Sequence, residues 1–268
     1  MPSRGQRNRI NKIVILAGQS NMFGLGNPEK VELDTKTHIT WINNIHTPDS
    51  LDMSYGWTTL QPQVLRYNQL ERQHIGPEAS VKLEDANTYS IKFTMGGTSI
   101  SNEWSIEKSF FKDTYYQKFI RFVKESIEEV PEPKELSALF WLQGESDSLK
   151  YHDAKNYSKN ITKFVKEVRS DLQSPNLIFI PSEITWSPGK YAHIVNDGIK
   201  QATEKLYPSA FVTNESIHAN TSPDGDGFHL DTQSLVKIGR RFSKAYQKVI
   251  NSAKYKKLVN SDIVCVKD

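Results

Sequence analysis

Three residue types in this chain stand where acyl-transfer chemistry would need them. Ser20 lies in Gly18-Gln19-Ser20-Asn21, directly after the apolar run Ile13 to Leu16. A hydroxyl presented where a buried run stops on a glycine suits a nucleophile, provided a base can take its proton. Asp226 and His229 are three residues apart in Asp226-Gly227-Phe228-His229, close enough for a carboxylate to orient an imidazole within one turn. His229 would then accept the Ser20 proton and return it to the leaving alcohol, while Asp226 fixes the imidazole tautomer. The developing oxyanion needs fixed N–H donors. The backbone N–H of Ser20, that of Gly97 in Gly96-Gly97-Thr98-Ser99, and the side-chain amide of Gln143 in Gln143-Gly144-Glu145-Ser146-Asp147 are the candidates. Losing one such donor typically removes ~3 kcal/mol of transition-state stabilisation.

The surrounding patterns say what must position these groups. Ile13 to Leu16 reads as a strand buried on both faces, as in parallel sheets. His38 to Ile42, Tyr89 to Met95, Leu136 to Leu142, Leu177 to Ile180 and Ala210 to Thr213 read as further strands. Asp113 is expected to cap a helix bearing Phe119, Phe122, Val123, Ile127 and Val130 at helical spacing. Similar stripes run through Tyr157 to Leu172, Tyr191 to Leu206 and Leu235 to Ile250. Gly76-Pro77-Glu78 reads as the start of a short helix reaching about Asp85. Strands alternating with such helices predict an α/β fold with a mainly parallel sheet covered on both faces. Ligands of such sheets bind at the carboxyl ends of the strands, where three of the polar blocks emerge. The irregular stretch 43–76 is expected to form part of a substrate cleft, its Tyr55, Trp57 and Tyr67, with Trp41 just before them, suiting sugars. No linker or repeat divides the chain, so one domain over 1–268 is expected, with a core of about 12–250 and flexible basic ends.

The blocks Gly18-Gln19-Ser20-Asn21-Met22, Gly96-Gly97-Thr98-Ser99-Ile100, Gln143-Gly144-Glu145-Ser146-Asp147 and Asp226-Gly227-Phe228-His229-Leu230 resemble the signature blocks of SGNH (GDSL-like) hydrolases. More narrowly they resemble the acetylxylan esterase and sialate O-acetylesterase-like branch, which Gly76-Pro77-Glu78 also fits. The resemblance covers roughly Lys12 to Ile250, with its blocks in the family's order. It implies a flavodoxin-like α/β/α sandwich and removal of acetyl groups from carbohydrate hydroxyls without a metal or other cofactor. The superfamily's oxyanion asparagine is replaced here by Gln143-Gly144-Glu145. Glu145 is therefore the alternative acid for His229, with Asp226 preferred for its proximity.

Plainer roles stand beside these. Alone, Ser20 would read as a helix cap; four blocks in order favour the nucleophile. Glu145 and Asp147 are expected to brace loops, and Asn21 to bond loop backbone beside the nucleophile. Trp104 could line a sugar site or the core. The other histidines show no H-x-x-x-H pair, and Asp224-Gly225-Asp226-Gly227 lacks the alternating ligands and closing glutamate of a calcium loop, so no metal site is expected. There is neither a G-x-G-x-x-G motif nor a P-loop lysine. A net charge of +3, from 34 basic and 31 acidic residues, gives no nucleic-acid face, the basic residues crowding at Arg4, Arg7, Arg9 and Lys254, Lys256, Lys257 being read as solvated ends. No apolar stretch approaches the ~18 residues of a membrane span. The single Cys265 allows no intrachain disulfide, and no signal-peptide core is seen. The default compartment is cytoplasmic, with carriage in a larger particle or non-standard export left open. The leading expectation is a serine esterase acting on an acetylated carbohydrate. The alternatives are a lipase or thioesterase on the same groups, or a non-catalytic glycan-binding protein.

Overall fold

The apolar runs become the strands of one sheet in the computed structural model, which describes residues 9–44, 52–53, 56–67, 70–84, 86–107, 114–185, 189–223 and 225–265. In chain order the strands are β1 (Asn11–Gly18), β2 (His38–Asn44), β3 (Asp52–Met53), β4 (Thr58–Thr59), β5 (Gln63–Tyr67), β6 (Leu70–His74), β7 (Asn87–Met95), β8 (Lys134–Leu142) and β9 (Ile178–Pro181). The helices are α1 (Ser20–Phe23), α2 (Tyr115–Glu128), α3 (Tyr151–Asp171), α4 (Ala192–Lys205), α5 (Thr232–Asn251) and α6 (Ala253–Cys265).

Parallel pairing joins β2, β7, β1, β8 and β9 in that spatial order. Short β3 and β4 pair antiparallel with β2. Past β9 the expected strand 210–213 is reduced to two parallel bridges, Phe179 with Ser209 and Ser182 with Val212. Counting β1, β7, β8, β9 and this bridged segment in chain order, the spatial order is 2-1-3-4-5, the flavodoxin-like arrangement, with β2 added outside β7. The strand order reverses at β1, so a crevice is expected beyond its carboxyl end. That is where Ser20 lies.

The alternation of β1 sorts its side chains between two cores. Ile13, Ile15 and Ala17 pack with Phe119 of α2, Phe164 of α3 and Val195 of α4. Val14 and Leu16 pack with Leu235, Ile238 and Phe242 of α5. Three layers result. The helices begin where local chemistry satisfies their first N–H groups. Thr114 caps α2 in a reciprocal box with Gln117, and Asp231 caps α5 by accepting from Ser234 N. Asp113, expected as the α2 cap, lies outside the described residues.

Two expectations are corrected. Gly76-Pro77-Glu78 opens a single 3-10 turn, Pro77–Ser80, rather than a helix to Asp85; the chain leaves it extended at Val81, whose side chain joins the α5-side core. The stretch 43–76 is not irregular throughout, because β5 and β6 form an antiparallel hairpin. The basic C-terminal stretch carries α6, where Tyr255 packs on the α5-side core and Lys254 Nζ lies 3.7 Å over the Tyr207 ring.

Candidate active site

Strand register brings the first three polar blocks level. Gly18 stands opposite Thr94 on β7 and Leu142 on β8, so the segments holding Ser20, Gly97 and Gln143 leave the sheet side by side. Gly18 has φ +152°, and a Cβ there would sit 2.0 Å from the Leu142 carbonyl oxygen. Only glycine fits beneath this turn. Gln19 N–H bonds Leu142 O at 3.1 Å, and Gly24 N–H closes the one-turn α1 on Ser20 O at 2.8 Å. Ser20 is 7% exposed. As the first residue of α1 its N–H has no intrahelical partner, and among the described residues neither it nor the N–H of exposed Gly97 is bonded.

The fourth block is a loop held by its own aspartate. Asp226 Oδ1 accepts from the N–H of Phe228 and of His229 at 2.9 and 2.8 Å, and Oδ2 meets His229 Nδ1 at 2.5 Å. Burial pushes the Asp226 carboxyl up, but the His229 side-chain bond and these backbone bonds outweigh it and hold it below the ordinary carboxylate range. The pair is still open to solvent, with side chains 42% (Asp226) and 26% (His229) exposed. Asn220 N–H bonds His229 O at 2.6 Å. Asn21 joins this loop to the nucleophile turn, its Oδ1 accepting from Leu230 N–H at 3.0 Å and its Nδ2 donating to Glu145 Oε1 at 2.7 Å. The residue after Ser20 is thus bonded to the residue after His229, as expected of a loop-bonding Asn21.

The third block braces. Asp147, fully buried, accepts from Ile100 N–H, Ser101 N–H, Ser101 Oγ and Gln143 Nε2. Gln143 Nε2 faces Asp147 Oδ2 at 2.6 Å and Thr98 O at 3.0 Å, while its Oε1 accepts from Tyr157 OH. Both amide hydrogens are directed at Thr98 and Asp147, so Gln143 also ties the second block to the third. Burial raises the Glu145 carboxyl above its usual range, against the pull of the Asn21 bond and of nearby His229. Its Oε2 has no hydrogen-bond partner among the described residues. A carboxyl that resists ionisation serves an imidazolium poorly, and His229 Nδ1 is directed at Asp226 instead.

Two aromatic expectations also change. Trp104 is 0% exposed, edge-on to Phe93, Phe119 and Trp141, with its Nε1–H on Thr98 Oγ1; it is core and cannot line a sugar site. Trp57 lies against Tyr89, near the amino end of β7 and away from the serine, and donates to Ser126 O. Tyr55 lies outside the described residues.

Sequence reasoning missed a buried charged node. Lys92, in the middle of β7, donates to Phe23 O, the last carbonyl of α1, and to Glu78 Oε2, both at 2.6 Å. Glu78 Oε1 accepts from Gly76 N–H at 2.6 Å and from Gln63 Nε2 at 2.7 Å. Burial pushes the Lys92 ammonium down, and Glu78 pulls it back up. A lysine inside a strand buried on both faces was the available signal, since buried charges are almost always paired. The node joins the hairpin, through Gln63 at the start of β5, to the nucleophile turn. A cleft of about 770 Å³ lies next to it, lined by the chain leaving α1, by Arg72 to His74 of β6 and by residues 219–222 and 231–233. Among the described residues no group of three or more His, Cys, Asp or Glu side chains is placed to hold a metal ion, and no helix is long and apolar enough to cross a membrane.

Residues 10–248 match the family described as carbohydrate esterase, sialic acid-specific acetylesterase. A relative from Arabidopsis thaliana, described as a probable carbohydrate esterase, is 28% identical over 259 residues, which cover 88% of this chain and 90% of the relative. The crystal structure of that Arabidopsis protein superposes with a TM-score of 0.67 at 24% identity, covering 89% of this chain and 98% of the other. The structure of NanS gives 0.64 at 15% identity, covering 90% and 97%. A carbohydrate acetylesterase from Xanthomonas citri gives 0.59 at 13% identity, covering 88% of this chain and 56% of its own. At these identities the structural likenesses establish the shared fold.

Proposed function

This chain belongs to the sialic acid-specific acetylesterase family of carbohydrate esterases and is a carboxylic ester hydrolase; from that premise we propose that it removes O-acetyl groups from a carbohydrate through Ser20, His229 and Asp226 and a covalent acyl-enzyme. The observation that carries the reading is the Asp226–His229 pair, Oδ2 to Nδ1 2.5 Å, on a loop that Asn21 bonds to the nucleophile turn. With Nδ1–H on an ionised Asp226, Nε2 is left with the lone pair that a general base needs.

In the first half-reaction His229 Nε2 takes the Ser20 proton as Oγ adds to the acetyl carbonyl carbon. The carbonyl oxygen becomes an oxyanion facing the N–H groups of Ser20 and Gly97, which need no reorganisation to receive it. Collapse breaks the bond to the sugar oxygen, and His229 delivers its proton to that leaving alcohol. Water, deprotonated by His229, then attacks acetyl-Ser20; as the second tetrahedral intermediate collapses, His229 returns that proton to the departing Ser20 Oγ, and acetic acid is released and ionises to acetate. Asp226 stays ionised throughout and stabilises the imidazolium.

The test is hydrolysis of p-nitrophenyl acetate and of acetylated carbohydrates by the wild type and Ser20→Ala, with mass spectrometry of the rapidly quenched wild type. The expected result is acetate release that falls by about 10⁴-fold or more in the variant, with an acetyl group on the Ser20 peptide. Equal activity in the variant would overturn the nucleophile assignment. Preference for long acyl chains would favour a lipase instead.

A further inference from the structure

We propose that the cleft beside the nucleophile turn is a subsite for the neutral sugar units flanking the acetylated one, so that the enzyme works on an oligosaccharide rather than a free monosaccharide. The inference rests on the esterase reading for its setting, and on the cleft itself for its content.

The cleft, about 770 Å³, is lined by residues that flank both candidate catalytic segments. Leu25 and Asn27 follow α1, and Asn220 holds the carbonyl of His229. The volume exceeds what one hexose needs and falls in the range of small-molecule sites of several hundred Å³.

Its chemistry fits hydroxyls. Gln73, Thr221 and Gln233 are exposed side chains with no partner among the described residues, beside Asn27, Asn220 and Ser222. Amides and hydroxyls both donate and accept, as sugar hydroxyls do. The charges oppose one another, Lys30 and Arg72 being matched by Glu29 and Asp231, so nothing favours an anionic chain over a neutral one.

The wall is also held in register with the chemistry. Gln63, at the start of the hairpin, bonds Glu78, which pairs with Lys92, which bonds the last carbonyl of α1. Beside it His74, the register partner of Gln63, lies edge-on to Phe23, ring centroids 6.1 Å apart, and Ile75 pairs with Gly26 through two backbone bonds. Both strands are thus fastened to the nucleophile turn at the hairpin's open end, next to the part of the cleft wall that Arg72 to His74 supply.

The test is calorimetric binding of xylotetraose, cellotetraose and mannotetraose, each against its monosaccharide, to the wild type and to the double variant Gln73→Ala/Gln233→Ala. At least one tetrasaccharide is expected to bind 10-fold or more tightly than its monosaccharide, and the double variant to lose about 10-fold of that affinity with an unchanged Tm. If no tetrasaccharide exceeds its monosaccharide, or if the double variant binds as the wild type does, the subsite is overturned. Tighter binding of tetragalacturonate than of all three neutral chains would overturn the neutral class. Hydrolysis plays no part in these outcomes, so inactivity toward every ester would sink the esterase reading while leaving the binding result to be judged alone.

Discussion

The two halves of the candidate site are held by opposite means. Ser20, Gly97 and Gln143 leave a sheet in which β1 is paired on both sides along its whole length, with one register shift against β8 far from the site, and the carboxyl groups beneath them, Glu145 and Asp147, are buried. Asp226 and His229 sit on a solvent-open loop that is organised by one aspartate and tied to the other half through Asn21. The first half is part of the fold, so damage there should register as lost stability. The second is nearly detachable from the fold, so damage there should register as lost rate.

The largest effect expected from this contrast is on the loop. Asp226→Asn should lower kcat by about 10⁴-fold, because the amide can hold the imidazole in the wrong tautomer, while thermal unfolding shifts little. A fall in Tm as large as that from core substitutions would break the distinction. Beneath the serine the order reverses. Lys92→Met leaves Glu78 buried without its partner and should destabilise by roughly 3–5 kcal/mol, read as a lower urea midpoint. Pairing it with Glu78→Gln should recover much of that loss; no recovery would show that Lys92 acts through packing rather than charge.

Asn21→Ala tests the bridge between the halves. It frees Leu230 N–H and Glu145 Oε1 together, so it should cost about 1–3 kcal/mol in stability and also lower kcat. An effect on stability alone would mean the loop holds its position unaided. The smallest effect is a pH slope. Burial raises the Glu145 carboxyl, so the folded chain binds its proton more tightly than the unfolded one, and stability is lost as pH rises from about 4.5 through the raised value. Glu145→Gln should remove that part of the slope and leave kcat largely intact, whereas Asp226, shifted the other way, contributes stability that is lost as pH falls below about 3.8. A kcat loss in Glu145→Gln matching that of Asp226→Asn would reassign the acid.

What could be read from sequence follows the same division. The strands before Ser20, Gly96 and Gln143 announce themselves because burial on both faces demands unbroken apolar runs, and the Asp226–His229 pair is local enough for spacing to reveal it. The fates of Gln143 and Trp104 were not legible, because the partners that absorb them, Asp147 and Thr98 for one and Phe93, Phe119 and Trp141 for the other, are chosen by tertiary packing. The β5–β6 hairpin escaped notice for a related reason. It stands apart from the central sheet, so its residues carry no sustained apolar alternation to mark it.

One packing contact limits how the chain can change in length. Gly239 of α5 is pressed so closely to the Pro77 carbonyl oxygen that a Cβ would lie 2.1 Å from it, and nine residues earlier Leu230 is held by Asn21. Between these two anchors a single inserted residue would turn the helix by about 100°. Either Gly239 would leave its seat or His229 would swing away from the nucleophile turn. Insertions and deletions should therefore be purged between Leu230 and Gly239 even though none of the intervening side chains enters the chemistry.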